Sequence, residues 1–253
     1  MSSLAPVVVI IFLLCISLQY SESFEFPSNF ELCHRSDNEC IVKNANKIIH
    51  EYPHGYPEIF LPDFEPMRLE KLEIKGNPDS PINFNLLMTD IEMHGYSNGT
   101  FTKFTGFDKD PHKVKIETES TNPRLIIRSK YKVSGKLLVV PITGEGDSTM
   151  TITGLKIKTR SKPTFEMRDG KTYLKFSAYK LQVEPEKIHI DMTNLFNGDN
   201  VLSENMLNIM NENWKLLWDE MSPKFNEAII AANLKVLNTM HAKIPYEDMF
   251  LPD

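Results

Sequence analysis

Hydrophobic and polar positions alternate with a period of two through the middle of this chain and with a helical period toward its end. In RLIIRSKYKV, Leu125, Ile127, Tyr131 and Val133 share one face with Ser129, while Arg128, Lys130 and Lys132 take the other. That is the pattern of a strand dry on one side. In STMTITGLKIKT, Met150 and Ile152 alternate, then Leu155 and Ile157 resume one residue out of step across Gly154. A β-bulge at that glycine accounts for the slip and sharpens the curvature of the sheet. TYLKFSAYKLQV and KIHIDM read as further strands, so the region from Pro66 to about Met192 is a body of short antiparallel strands punctuated by Gly, Pro, Asn and Asp.

After LFNGDN the pattern changes, and a helix is predicted from about Ser203 to Lys243. Apolar or small residues fall at Leu202, Met206, Met210, Trp214, Leu217, Met221, Phe225, Ile229, Ala232, Val236 and Met240. Ten steps over 38 residues advance faster than the 3.6 of a helical turn, so the stripe winds around the helix. Such a helix is covered on several sides rather than resting on a flat sheet. Ser222-Pro223 predicts a kink or restart. At 1.5 Å per residue the rod is about 60 Å long, which requires an elongated molecule. Flexible Met and aromatic side chains facing Leu, Ile, Val and Tyr on the strands can pack imperfectly and leave an apolar channel for a rod-like lipophile. A solid core is the competing reading.

An earlier helix is predicted in SDNECIVKNANKIIHEYPHG, with Ser36 and Glu39 in capping-box spacing and Ile41, Ala45, Ile48 and Tyr52 on one stripe. It runs into HEYPHG, which has the His-Glu-x-x-His spacing of a zinc peptidase. Pro53 lacks the N–H that would bond to Ile49 and disfavours helical geometry at Tyr52, so His54 lies beyond the helix end. His50 falls half a turn off the apolar stripe, facing water. The geometry argues against a metal held by His50 and His54. No G-x-S-x-G elbow or phosphate loop occurs, and GEGD at 144–147 lacks the third glycine of a dinucleotide fingerprint. The expectation is a protein without catalysis, cofactor or metal.

An apolar run from Val7 to Leu18, followed by small residues, reads as a signal peptide over 1–23. It is too short to span a bilayer, and no later stretch reaches the ~20 apolar residues needed, so a secreted chain over 24–253 without stable membrane insertion is expected. Cys33 and Cys40 then remain, a pair suited to a disulfide in an oxidising compartment; a two-Cys zinc site would need two further ligands. Asn98-Gly99-Thr100 is a glycosylation acceptor. A formal charge of −6 gives no reason to expect nucleic acid. Residues 113–180 nonetheless hold 15 Lys/Arg against 6 Asp/Glu. This is a solvated strand face or, on a sharper reading, a basic surface that meets a receptor or anionic lipid.

Several stretches resemble the insect takeout and juvenile hormone-binding protein family, in that family's order over nearly the whole mature chain. They are the paired Cys33 and Cys40, GYPEIFLPDFEPM, MHGYSNGTF, YKVSGKLLVVPITGEG, DGKTYLKF, LFNGDNVL, NENWKLLWDEMSPKFNEAI and IPYEDMF. The resemblance implies an α+β fold in which a highly curved antiparallel sheet wraps a long C-terminal helix around a hydrophobic tunnel. It implies secretion, carriage of juvenile hormone or other lipophiles, a link to circadian and feeding physiology, and no catalysis. A single monomeric lipid-binding domain over 24–253 is therefore expected. From strand and helix phase, its lining is Leu125, Ile127, Val133, Met150, Ile152, Met210, Trp214, Leu217, Met221 and Phe225, with Tyr131 hydrogen-bonded to the ligand. The alternative is an extracellular interaction protein that uses the basic segment and stores nothing.

Overall fold

The computed structural model describes residues 24–80, 82–177 and 179–252. The signal-peptide expectation lies outside these residues. The first helix, α1 (Asn38–Glu51), is capped by Asp37, whose carboxylate accepts from the Cys40 N–H. The cap is thus one residue after the Ser36 expected, and Asp37 supplies the acceptor that the first-turn amides need. The helix ends before Pro53, as its missing donor requires. Cys33 and Cys40 are joined in a disulfide at its entrance.

Among the described residues nine strands follow: β1 (Met67–Ile74), β2 (Ile82–His94), β3 (Thr100–Thr105), β4 (Ile116–Leu137), β5 (Val140–Ser161), β6 (Thr164–Arg168), β7 (Lys171–Lys175), β8 (Tyr179–Glu184) and β9 (Lys187–Met192). Seven form one antiparallel sheet in the order β1-β2-β4-β5, with β9 and β8 on successive parts of β5 and β3 on the first part of β4. β6 and β7 make a separate hairpin. The stretch read as one strand from Thr172 to Val183 is broken between β7 and β8. KIHIDM is β9.

The two longest strands form a hairpin joined by Leu138 and Val139. The slip expected at Gly154 is present: buried positions of β5 are even-numbered from Ile142 to Ile152, then odd from Leu155. It is not a bulge in one strand. On β4 the inward positions also change parity, from Ile116, Thr118 and Asn122 to Leu125 and beyond. Asn122 pairs Leu155 and Arg124 pairs Thr153, so both strands insert one residue at the same place and their register continues unbroken. Gly154 takes a φ of +62°, and a Cβ there would lie 2.6 Å from Cβ of Glu186. A true register shift occurs instead in β2, between Thr89 and Glu92, where Asp90 has φ +49°.

The C-terminal rod is α2 (Asn200–Glu212) and α3 (Trp214–His241). It breaks at Asn213, not at Ser222-Pro223. Asn213 donates its side-chain amide to the Ile209 carbonyl at 2.8 Å and leaves helical geometry, while Pro223 stays inside α3 on an exposed position where water can serve the carbonyl it leaves unbonded. Leu202, the first residue of the expected stripe, is exposed. Two asparagines clamp the rod to the strands. Asn211 donates to and accepts from the Ile190 backbone, and Asn238 does the same with Phe176, all at 2.7–2.9 Å. On α1, Asn46 holds Phe101 in the same way.

Candidate ligand-binding site

The expected lining converges. Leu125 pairs Ile152 and Ile127 pairs Met150 across the long hairpin, while Tyr131 and Val133 lie opposite Gly146 and Gly144. These strand residues share one apolar cluster with Met210, Leu217, Met221 and Phe225 of the rod, all less than a tenth exposed. Trp214 is half-buried against the same cluster, with the Lys187 ammonium 6.0 Å from its ring centre. Period-two and period-3.6 reasoning therefore selected residues that meet in space.

Tyr131 is engaged by the protein itself. Its hydroxyl donates to the Thr193 carbonyl at 2.7 Å, and burial pushes its pKa up to about 12. Gly144 leaves room for it, since a Cβ there would lie 2.9 Å from the phenolic oxygen. That proton ties β4 to the segment connecting β9 to α2.

A cavity of about 410 Å³ opens where β1 and β2 meet α3. Ile74, Ile82, Phe84, Met221 and Pro223 form its apolar part, and Glu73, Lys75, Glu220 and Lys224 its charged rim. Only Met221 belongs to the expected lining. Along α3 beyond this point, burial changes character. Phe225 and His241 are buried, but every residue from Asn226 to Met240 is half-buried or exposed. This includes Ala228, Ile229 and Ala232, which pack against the principal cluster.

Polar groups missed in the sequence occur at this level. Tyr96, in the turn after β2, touches both the principal cluster and the one containing Ile59 and Phe64. Burial, then the neighbouring Tyr179 and Glu65 charges, push its hydroxyl above its usual range. Tyr179 is likewise raised to about 12 by burial, with Asn233 acting in the opposite sense. The Asn226 side-chain oxygen is buried without a partner. A sequence signal existed: Asn226 and Asn233 interrupt the apolar face seven residues apart, two helical turns.

The remaining candidates separate. The His50 ring meets the Gly99 carbonyl at 2.7 Å, whereas His54 lies 3.6 Å from Asp63 beyond the helix end. Among the described residues no three His, Cys, Asp or Glu side chains gather as metal ligands. Asn98 is exposed in the turn before β3. Part of the basic segment is paired across the sheet: Lys130 with Asp147, Lys132 with Glu145, Lys158 with Glu119 and Arg160 with Glu117. A hydrogen bond from Lys103, then the Arg160 charge, hold Glu117 below its usual range. At these positions the sheet surface carries both signs.

Comparison with known proteins agrees with this architecture. Takeout 1 of Epiphyas postvittana superposes with a TM-score of 0.76 at 20% identity, covering 86% of this chain and 98% of that one. The circadian clock-controlled protein daywake of Drosophila melanogaster is 32% identical over 240 residues, 93% of this chain and 92% of its own. Its Drosophila yakuba counterpart is 31% identical over 239 residues, with the same coverage. The model of the haemolymph juvenile hormone binding protein family matches residues 9–251, and with nearly the whole length accounted for, the chain belongs to that family.

Proposed function

We propose that the protein is a secreted, monomeric carrier of a small hydrophobic ligand, with residues 24–253 acting as one lipid-binding domain and performing no catalysis. The ligand lies between α3 and the inner face of the sheet, in a tunnel reached from the mouth beside Met221. The observation that supports this most directly is the stretch from Asn226 to Met240. A helix flanked by strands leaves no residue there fully buried, although buried residues bound it on both sides. Well-packed interiors leave little such surface, which supports a space alongside the helix.

A juvenile hormone-like terpenoid or fatty-acid derivative suits a long apolar space of this kind. Burying ~300 Å² of apolar ligand at 25 cal/mol/Å² yields about 7–8 kcal/mol before association costs, consistent with micromolar to submicromolar affinity. Glycosylation at the exposed Asn98 is compatible with secretion. The test is organic extraction and mass spectrometry of protein purified from its own tissue, beside titration with juvenile hormone and fatty acids followed by Trp214 and Trp218 fluorescence. A co-purifying lipophile and a saturable change are expected. No extractable lipophile and no response to any of them would overturn the carrier reading.

A further inference from the structure

The turn that joins the two longest strands is made of residues that a turn does not favour. Leu137 pairs Val140, so the loop is two residues, Leu138 and Val139. Loops of this length are dominated by Gly, Asn and Asp, because their first residue usually takes a positive φ and their side chains meet water. Here Leu138 takes φ +56°, and Val139 is 89% exposed, the most exposed large hydrophobic residue among those described. A bulky side chain in the left-handed region costs folding free energy, and an exposed valine returns none. Stability of the hairpin accounts for neither choice.

The position of the tip does. Across the strands, Ile82 pairs Leu137 and Phe84 pairs Gly135. Both Ile82 and Phe84 line the cavity beside Met221, so Leu138 follows directly on the strand pair that borders its mouth. The charged residues of that mouth are two of each sign, Glu73 and Glu220 with Lys75 and Lys224. Glu73 is paired with Lys71 at 3.2 Å and Lys224 with Glu227 at 2.8 Å. Such a rim has no strong field to draw in an anionic surface, but it complements headgroups that themselves carry both signs. Lys136, exposed two residues before Leu138, adds a single cation.

We propose that Leu138 and Val139 dip into the surface of a zwitterionic lipid bilayer and bring the cavity mouth against it, so that ligand passes between bilayer and protein without crossing water. This rests on the carrier reading and adds how the carrier is loaded. Two side chains are too few to anchor the protein, so the contact is transient. The test follows anthroyloxystearate, a fluorescent fatty-acid probe, as it leaves phosphatidylcholine vesicles that carry a quencher and enters the full secreted chain. The transfer rate should rise in proportion to protein concentration, since collision is then the slow step. Release through water would give one rate at every protein concentration. Combined Leu138→Asn and Val139→Thr should slow transfer about tenfold, the scale of one apolar side chain withheld from lipid. Asn tolerates a positive φ and Thr keeps the branched shape of Val, so this variant should fold as the parent does. It should also bind the free probe with unchanged affinity, and phosphatidylserine in the vesicles should not be required.

A rate independent of protein concentration would overturn the docking tip, as would an unchanged rate in the variant. Transfer that requires phosphatidylserine would move the contact to the basic strands, and weaker binding of free probe by the variant would mean that the turn acts on the ligand space itself; each result overturns the proposal. If the probe does not bind in solution at all, the carrier reading fails as well. A probe that binds but arrives at one rate for every protein concentration refutes the tip alone.

Discussion

Replacing Tyr131 with Phe separates an anchor from a ligand contact. The substitution keeps the ring against its cluster and removes one hydroxyl, leaving the Thr193 carbonyl without its 2.7 Å donor. A net hydrogen bond is worth about 1 kcal/mol, and a buried carbonyl left unsatisfied adds to that, so the expected loss is about 1.5–2 kcal/mol. The neighbourhood limits relaxation. The Thr193 N–H donates to the Asp147 carbonyl at 2.9 Å, its hydroxyl accepts from the Asp147 N–H at 2.9 Å, and Leu195 bridges to Gly144. The segment therefore cannot move to find a new donor without opening those contacts. Urea unfolding followed by circular dichroism should give a lower midpoint with an unchanged m-value, and melting should fall by about 3–8 °C. Ligand affinity should remain within about twofold of the parent, half a kcal/mol or less. A tenfold loss of affinity at unchanged stability would refute the anchor and return Tyr131 to the ligand.

Gly144→Ala tests the other side of this contact, since its Cβ would sit 2.9 Å from both the Leu195 Cα and the Tyr131 hydroxyl. About 2 kcal/mol of destabilisation is expected from such overpacking, and unchanged urea unfolding would contradict it. Asn238→Leu removes both partners of the Phe176 backbone and should cost about 2–3 kcal/mol, with faster amide exchange at Phe176. His241 is buried beside Phe176, and burial lowers its pKa to about 4. Below pH ~6.5 the unfolded chain takes a proton that the folded one refuses, so stability present above that pH falls as acid is added toward pH 4, by about 3 kcal/mol. His241→Gln should flatten this part of the pH profile relative to the parent; parallel profiles would refute it.

Local periodicity made much of the apolar interior legible. Leu125, Ile127, Met150 and Ile152 followed from alternation alone, and Met210, Leu217, Met221 and Phe225 from the helical stripe, because burial requires one face to be apolar whatever it meets. Features that depend on a distant partner were not legible. Pro223 looked like the break in the rod, but its exposed position makes the missing hydrogen bond inexpensive, whereas Asn213 breaks the helix through its own side chain. Tyr131 looked like a polar tip aimed at a ligand, and only the fold brings the Thr193 carbonyl to it. In the basic segment, the pairing that sets Asp147 and Glu145 opposite Lys130 and Lys132 likewise depends on a partner strand.

The slip at Gly154 connects these levels. A bulge in β5 alone would have shifted its register against β4 and put every later pair out of step. Instead β4 inserts a residue at Pro123, and each strand changes the parity of its inward positions while the pairs beyond stay matched. Asn122 holds that place: its side-chain oxygen accepts from the Arg124 N–H at 2.9 Å and its amide donates to the Gly95 carbonyl at 2.7 Å. Gly95 fits there with φ +96°, since a Cβ would lie 2.6 Å from the Arg124 carbonyl oxygen. The next residue is Tyr96. The device that keeps a hairpin of two 22-residue strands facing one interior therefore also fixes the turn carrying the half-buried Tyr96. Sheet curvature and the placement of the Tyr96 turn should accordingly respond together to a change at Asn122.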